Sequence, residues 1–140
     1  MKNSGKCGGV IFNRDKTKMV VVHQRYNGKP AKWGCPKGHK KRNETNHYCA
    51  HREIYEELGI RVKTMDTDPK IKVGNTVYFS YVILNIEKEM VPIDSREICE
   101  VRLIDLLDID IPLSNMNYEL KTIIQNINVF KETSKITFCL

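Results

Sequence analysis

Three glutamates recur at helical spacing in the middle of the chain, and together they could bind a cation. Glu53, Glu56 and Glu57 lie in the segment Arg52-Glu53-Ile54-Tyr55-Glu56-Glu57-Leu58-Gly59-Ile60. Residues three and four positions apart share one face of a helix, where like charges cost about a few tenths of a kcal/mol per pair. Hard divalent cations such as Mg²⁺ relieve this repulsion because carboxylate oxygens are their preferred ligands. The spacing therefore predicts either a metal site or a solvated acidic face.

A fixed pattern surrounds these glutamates and favours the metal site. It consists of Gly38, five residues, Glu44, seven residues, Arg52-Glu53-Ile54, one residue, Glu56-Glu57, one residue and Gly59-Ile60. The pattern resembles the signature of the Nudix hydrolases, and every defined position is filled. The resemblance implies a metal-dependent hydrolase that cuts a phosphoanhydride bond.

The resemblance also assigns roles to the residues nearest the reaction. Glu53, Glu56 and Glu57 would bind Mg²⁺ or Mn²⁺, together with the carbonyl group of Gly38. Paired ions can activate water and stabilise both oxygens of an in-line displacement at phosphorus. Glu57 or Glu56 would accept the proton of the attacking water.

Other charged residues would support or extend this site. Arg52 and Glu44 would hold the preceding loop against the helix and orient the ligands. Many members of the family add an acidic residue from a later segment. Glu97 is the first candidate for it, and Glu100 and Glu119 are reserves, although each can equally be a plain loop or helix carboxylate.

Residues outside the signature suggest the substrate. The lead-in Trp33-Gly34-x-Pro36-Lys37-Gly38 and the pair Cys49-Ala50 resemble the catalytic domain of mRNA-decapping enzymes. This resemblance implies hydrolysis of the 5′ cap of RNA, which releases a nucleoside diphosphate and 5′-monophosphate RNA. Pro36-Lys37-Gly38-His39 also resembles hydrolases of dinucleoside polyphosphates and some hydrolases of diphosphoinositol polyphosphates, so both substrates remain alternatives.

Several cationic and aromatic side chains are candidates for substrate binding. Lys37 could contact a phosphate, whereas Tyr26 or Trp33 could stack on a base. Trp33 could equally pack in the core. A basic run that could contact an RNA backbone, or simply form a solvated loop, consists of Lys40, Lys41 and Arg42.

Length and composition limit the remaining possibilities. A chain of 140 residues suits a single domain, residues 1–140, and a net charge of +6 favours polyanionic partners. The sequence contains no apolar run near the ~20 residues that span a bilayer, and no signal-like apolar segment follows Met1. The five cysteines include no Cys-x-x-Cys pair. We expect a cytoplasmic protein without a membrane or DNA partner, and the sequence leaves its oligomeric state open.

Two competing interpretations follow from the same residues. A non-catalytic nucleotide-binding or RNA-binding module could keep the fold, but such modules usually lose a glutamate of the signature, and this chain keeps all of them. His47 and His51 could share a helix face and bind zinc, but two further ligands are not evident. Both histidines are more simply surface or boundary residues.

The elements that must position these residues follow from periodicity and turn signals. Strands are predicted over residues 7–12, 18–24, 75–85 and 99–104, the first two forming a hairpin. A polar loop should cover residues 26–30 and lead to Trp33. Helices should run from Thr45 or Asn46 to Leu58, ending at Gly59, and over residues 118–130. This order predicts an α/β (α+β) sandwich, the Nudix fold, in which a mixed β-sheet packs between helices.

Overall fold

The fold is described from a computed structural model. It describes residues 5–26, 29–86, 90–94 and 96–140, and the side chains within these ranges except those of residues 26, 29–31 and 99.

Within these ranges four strands precede the first α-helix, three strands follow it, and two further α-helices and a last strand end the chain. The strands are β1 Lys6–Phe12, β2 Lys18–Tyr26, β3 Lys29–Gly34, β4 Lys37–His39, β5 Lys70–Val73, β6 Thr76–Ile83, β7 Ile98–Asp105 and β8 Lys135–Thr137. The α-helices are α1 Asn46–Leu58, α2 Tyr118–Gln125 and α3 Ile127–Thr133, and a 3₁₀ turn covers Leu113–Asn115.

The strands form one mixed sheet. Its central path runs β3-β2-β1-β6-β5, with β4 added to β1, β7 to β2 and β8 to β6. β6 is parallel to both β1 and β8, whereas the other pairs are antiparallel. The predicted mixed sheet is therefore confirmed.

Each face of the sheet carries its own apolar core. Alternate residues of β2 separate into the two cores, because successive side chains of a strand point to opposite faces. Val20 and Val22 pack in the core that includes Ile54 of α1. Met19 and Val21 pack in the core that includes residues of α2 and α3. The sheet thus lies between α1 on one face and α2 and α3 on the other, which confirms the predicted sandwich.

Most predicted strands and the predicted helix α1 are found close to their expected bounds. α1 begins after Thr45, whose side chain accepts a hydrogen bond from the Tyr48 amide, and it ends at Gly59 in the left-handed conformation. The predicted β1–β2 hairpin closes at the register pair Phe12 and Met19. Beyond that pair the two strands take other partners, so the hairpin is short.

Two predictions about local structure were wrong. Within the polar loop expected over residues 26–30, Tyr26 ends β2 and residues 29–30 begin β3, which pairs with β2; residues 27 and 28 lie outside the described residues. The single helix expected over residues 118–130 is two helices, separated at Asn126. The short strands β4, β5 and β8 were not predicted either. β4 depends on pairing with β1, and β5 and β8 depend on pairing with β6, which local sequence does not encode.

The described helices include none that is long and apolar enough to cross a membrane.

Gly59 offers a test of how α1 is terminated. Its φ is +73°, and an added Cβ would overlap the carbonyl oxygen of Val91. We expect Gly59→Ala to lower the free energy of unfolding by about 1–3 kcal/mol, measured by urea denaturation. Gly59→Asn is the matched control, because Asn tolerates the left-handed conformation but carries the same Cβ. It should lose nearly as much stability; a Gly59→Asn protein as stable as wild type would contradict the overlap with Val91.

Candidate active site

Helix α1 presents its glutamates at the edge of the core. Cys49, Ala50, Ile54 and Leu58 anchor the helix in the apolar core beneath the sheet. Glu53 and Glu57 are buried beside them at 6% and 4% exposure. The side chain of Glu56 is 34% exposed. The predicted acidic face is therefore mostly buried, which a solvated surface face would not be.

The glutamates open into a cavity of about 340 Å³. Its described lining comprises Lys6, Gln24, Arg25, Lys37, Gly38, His39, Lys40, Lys41, Arg52, Glu53, Glu56, Glu57, Asp94 and Glu97. Glu97, on the turn before β7, lines the same cavity as the helix glutamates. The structure thus places Glu97, the first candidate for an additional acidic residue, at the same cavity.

Arg52 connects the loop before α1 to the acidic face. Its Nε and Nη2 donate to the Glu44 carboxylate at 2.7 and 2.9 Å. Its Nη1 donates to Glu53 Oε2 at 2.7 Å and lies 3.3 Å from Glu56 Oε1. Nη2 also donates to the carbonyl oxygen of His39 at 3.0 Å. The positions of Arg52 and Glu44 fit their predicted supporting role.

The carboxyl groups of the site differ sharply in pKa. Burial raises the pKa of Glu57 well above its usual range, and repulsion from Glu53 and Glu97 adds to the rise. Burial likewise raises the pKa of Glu53, although Arg52 opposes the effect. In contrast, the hydrogen bonds from Arg52 lower the pKa of Glu44 to about 2. Negative charge is therefore costly on the inner face of α1 and stabilised on the loop.

Gly38 brings the backbone of β4 against the helix. A Cβ at this position would overlap the carboxylate of Glu53 as it lies here, so a larger residue would displace that carboxylate. The preceding amide, that of Lys37, donates to Glu57 Oε1 at 3.2 Å. The Gly38 carbonyl oxygen lies 3.8 Å from the thiol of Cys49. Two adjacent peptide units of β4 thus contact the acidic face directly.

Lys37 does not have the position expected for a phosphate contact. Its ammonium forms a buried ion pair with Glu119 Oε1 at 2.9 Å, on the side of the sheet that carries α2. Glu119 was a reserve metal ligand, and this pairing removes it from the acidic cluster. Glu100, the other reserve, is paired with Arg102 at 3.1 Å and is not part of the described cavity lining.

The aromatic candidates do not form an open stacking platform among the described side chains. Trp33 is buried at 6% exposure in the core beside α2. His23 stacks on its ring at a centroid distance of 4.5 Å, and the Arg102 guanidinium carbon lies 4.6 Å from the ring centre. Trp33 therefore packs in the core, which was the alternative to stacking on a base. The side chain of Tyr26 lies outside the described residues.

The basic run enters the site only in part. Lys40 and Lys41 line the cavity, whereas Arg42 is exposed in the turn beyond it. Sequence reasoning missed Lys6 and Arg25, which also line the cavity. They come from β1 and β2, far from the signature in sequence, and only the pairing of the strands brings them there.

His47 and His51 are boundary residues of α1. His47 Nδ1 lies 3.4 Å from the Thr64 hydroxyl, and His51 Nδ1 lies 2.7 Å from the Val62 carbonyl oxygen. Both rings therefore contact the segment that follows the helix. These contacts agree with the simpler of the two sequence interpretations.

The donor groups of the site suit a hard divalent cation in chemical type. Carboxylates of Glu53, Glu56, Glu57 and Glu97 face one cavity, beside the Gly38 backbone. In the arrangement observed, no three described His, Cys, Asp or Glu side chains are grouped closely enough to hold a metal. Arg52 contacts Glu53 and Glu56, and the Lys37 amide contacts Glu57.

Comparison with known proteins agrees with the observed fold. The family model for the NUDIX domain matches residues 6–127. A MutT NUDIX hydrolase from Burkholderia pseudomallei is 18% identical with a TM-score of 0.68, over 91% of this chain and 99% of that chain. A Caenorhabditis elegans Ap4A hydrolase in a binary complex is 19% identical with a TM-score of 0.68, over 91% and 98%. The MutT protein of Methanosarcina mazei Go1 is 17% identical with a TM-score of 0.65, over 93% and 94%.

The raised pKa of Glu57 predicts how stability depends on pH. As pH rises through about 4.3, the unfolded state loses this proton while the folded protein retains it, so stability falls. Glu57→Gln removes that penalty. In EDTA we expect the variant to be more stable than wild type near neutral pH. The difference should narrow toward about pH 4, where the Glu57 carboxyl group is largely protonated in both the folded and the unfolded protein. Urea unfolding at the two pH values measures this; a difference that does not change with pH would contradict the prediction.

Proposed function

The chain belongs to the NUDIX family, and we propose that this Nudix pyrophosphohydrolase cleaves the phosphoanhydride bond of a substrate that contains a linked nucleoside diphosphate. The observation that carries the proposal is one cavity that combines buried carboxylates with a cationic rim. Carboxylates can serve metal binding and proton transfer, while lysine and arginine attract a polyphosphate. We also propose that residues 1–140 form a single domain of this family.

Nudix hydrolases generally use divalent metals such as Mg²⁺ or Mn²⁺. We propose that Gly38, Glu53, Glu56 and Glu57 hold them here, with Glu97 as a further acidic residue at the same cavity. When bound, such ions supply positive charge that lowers the pKa of water and stabilises charge on the phosphate oxygens. The donor chemistry of these residues supports this assignment.

We assign the other roles in the reaction to side chains around the cavity. Glu57 or Glu56 accepts the proton of the attacking water. Glu56 is the more exposed of the two, and Glu57 is oriented by the Lys37 amide. Arg52 neutralises part of the acidic face and keeps the loop at Glu44 in place. Lys40 and Lys41 attract the polyphosphate from the rim.

Capped RNA is the first candidate substrate. Its support is the resemblance of the lead-in to decapping enzymes and the basic run of residues 40–42, whose last residue, Arg42, is exposed just outside the cavity. Such a run can follow an RNA backbone, and binding through it would weaken as salt rises. The burial of Trp33 and the pairing of Lys37 weaken the support from substrate contacts, because neither side chain is directed to the cavity in the role expected.

Dinucleoside polyphosphates are the second candidate. Their support is the shared Pro36-Lys37-Gly38-His39 sequence and the structural similarity to a protein described as an Ap4A hydrolase. The two candidates contain the same reacting group, a polyphosphate between two nucleosides. They differ in whether a long RNA chain continues beyond the cavity.

A substrate panel distinguishes these candidates. We expect turnover of cap-labelled RNA in Mg²⁺ or Mn²⁺, with release of a nucleoside diphosphate and a steep loss of RNA binding as salt rises. Diadenosine polyphosphate and a diphosphoinositol polyphosphate are the comparison substrates. If capped RNA is not cleaved while the dinucleoside polyphosphate is hydrolysed rapidly, the decapping proposal is wrong and the second candidate takes its place.

Substitution of the glutamates tests the catalytic assignment. We expect Glu57→Gln or Glu56→Gln to lower kcat by about 10²–10⁴-fold, the typical contribution of acid–base catalysis, while circular dichroism shows an intact fold. Glu132→Gln is the control, since Glu132 is an exposed residue of α3. Wild-type kcat in both the Glu56 and Glu57 variants would contradict the roles proposed for them.

A further inference from the structure

Lys37 belongs to a buried polar network on the side of the sheet away from α1. Its ammonium donates to Glu119 Oε1 at 2.9 Å, and the Tyr78 hydroxyl donates to the same oxygen at 2.6 Å. The Thr76 hydroxyl donates to Glu119 Oε2 at 2.9 Å. Glu119 lies in the first turn of α2, where a negative charge is stabilised by the helix dipole. Every partner of the Glu119 carboxylate is therefore a donor, and the network is well satisfied.

The backbone of the same residue faces the candidate active site. The Lys37 amide donates to Glu57 Oε1 at 3.2 Å, and the next residue, Gly38, lies directly against the carboxylate of Glu53. Lys37 therefore connects two helices, because its side chain pairs with Glu119 of α2 while its amide contacts Glu57 of α1.

The N-terminus of α2 also holds the residues before Lys37. The Asn117 amide donates to the Trp33 carbonyl oxygen at 2.9 Å. Gly34 lies so close to the Asn117 side chain that a Cβ would overlap it. The segment from Trp33 to Gly38 is thus attached to α2 at two places, and this attachment determines where the segment meets the acidic helix.

We propose that Glu119 is a positioning residue for hydrolysis, acting through Lys37 on the peptide units that contact Glu57 and Glu53. The proposal rests on the function proposed above, in which those two glutamates serve the reaction. Without the Glu119 charge, the Lys37 ammonium would be buried without its counter-ion, and it would have to move toward solvent. Movement of Lys37 would displace its amide from Glu57, and small displacements of catalytic groups lower reaction rates strongly.

Glu119→Gln tests the proposal, and Asp68→Asn is its matched control. Asp68 is also a buried carboxylate, which pairs with the Lys135 ammonium at 2.9 Å, accepts from the Tyr81 hydroxyl at 2.7 Å and accepts from the Met65 amide at 2.8 Å. Asp68 is not among the described residues that line the cavity. Both substitutions therefore remove one buried charge, but only one of the charges is connected to the acidic site.

Two measurements are made on both variants. For Glu119→Gln we expect kcat to fall about 10- to 100-fold with little change in KM, because positioning of the reacting groups is lost rather than substrate binding. Hydrogen exchange of the Lys37 amide in the metal-free protein should accelerate relative to the slowest amides of β6. For Asp68→Asn we expect wild-type kcat and wild-type exchange at Lys37, with faster exchange at the Met65 amide.

Several results would overturn the proposal. Wild-type kcat and unchanged Lys37 exchange in Glu119→Gln would do so, and so would an equal loss of kcat in Asp68→Asn. A lower KM in Glu119→Gln would also overturn it, because the released Lys37 would then bind phosphate directly. Lys37→Met combined with Glu119→Gln should be no slower than Lys37→Met alone, since both act in one contact; additive losses would contradict this.

A second variant and the metal-free exchange measurement cover two other outcomes. If Glu119→Gln does not fold, Tyr78→Phe removes one donor from Glu119 and should change kcat and Lys37 exchange in the same direction to a smaller extent. If the wild-type protein hydrolyses none of the substrates in the panel, the proposed function fails. The exchange comparison in metal-free protein then still decides whether Glu119 fixes the Lys37 amide, so the two failures are distinguishable.

Discussion

The bridge formed by Arg52 is the interaction on which the candidate site depends. The inner face of α1 carries buried negative charge, and burial itself raises the pKa of Glu53 and Glu57. Arg52 offsets this charge while its planar guanidinium binds Glu44 through two nitrogens. Removing Arg52 would leave these partly buried carboxylates without their shared counter-charge. One side chain thus makes the acidic face tolerable and fixes the preceding loop to it.

The sheet determines what this acidic face meets. Because β4 pairs with β1 and α1 packs over the same strand, the Gly38 backbone lies directly against Glu53. On the other side, backbone amides of Ile93 and Asp94 donate to the Glu56 carbonyl oxygen at 2.8 and 3.1 Å, so the segment before β7 closes against the end of the helix. The site is therefore assembled from strand pairing and helix capping together.

Local signals were sufficient for some elements and insufficient for others. The bounds of α1 were predictable because Thr45 and Gly59 cap the helix through contacts within one turn. β3 was not predictable as a strand, because its glycine and proline content resembles a loop and its stability comes from pairing with β2. The segment of residues 118–130 shows the same limit. Its apolar spacing continues across Asn126, but the helix is interrupted there.

The lead-in to the signature shows why residue type alone is a weak guide to the substrate. Lys37 is a basic residue within the lead-in to the Nudix signature, so a phosphate contact was a natural hypothesis. Had β4 been recognised as a strand, its alternation would have directed Lys37 and Gly38 to opposite faces. Two further cations that line the cavity, Lys6 and Arg25, come from β1 and β2 and carry no local signal. Side chains that could contact a substrate at this cavity are therefore gathered by tertiary structure, and the signature alone does not reveal them.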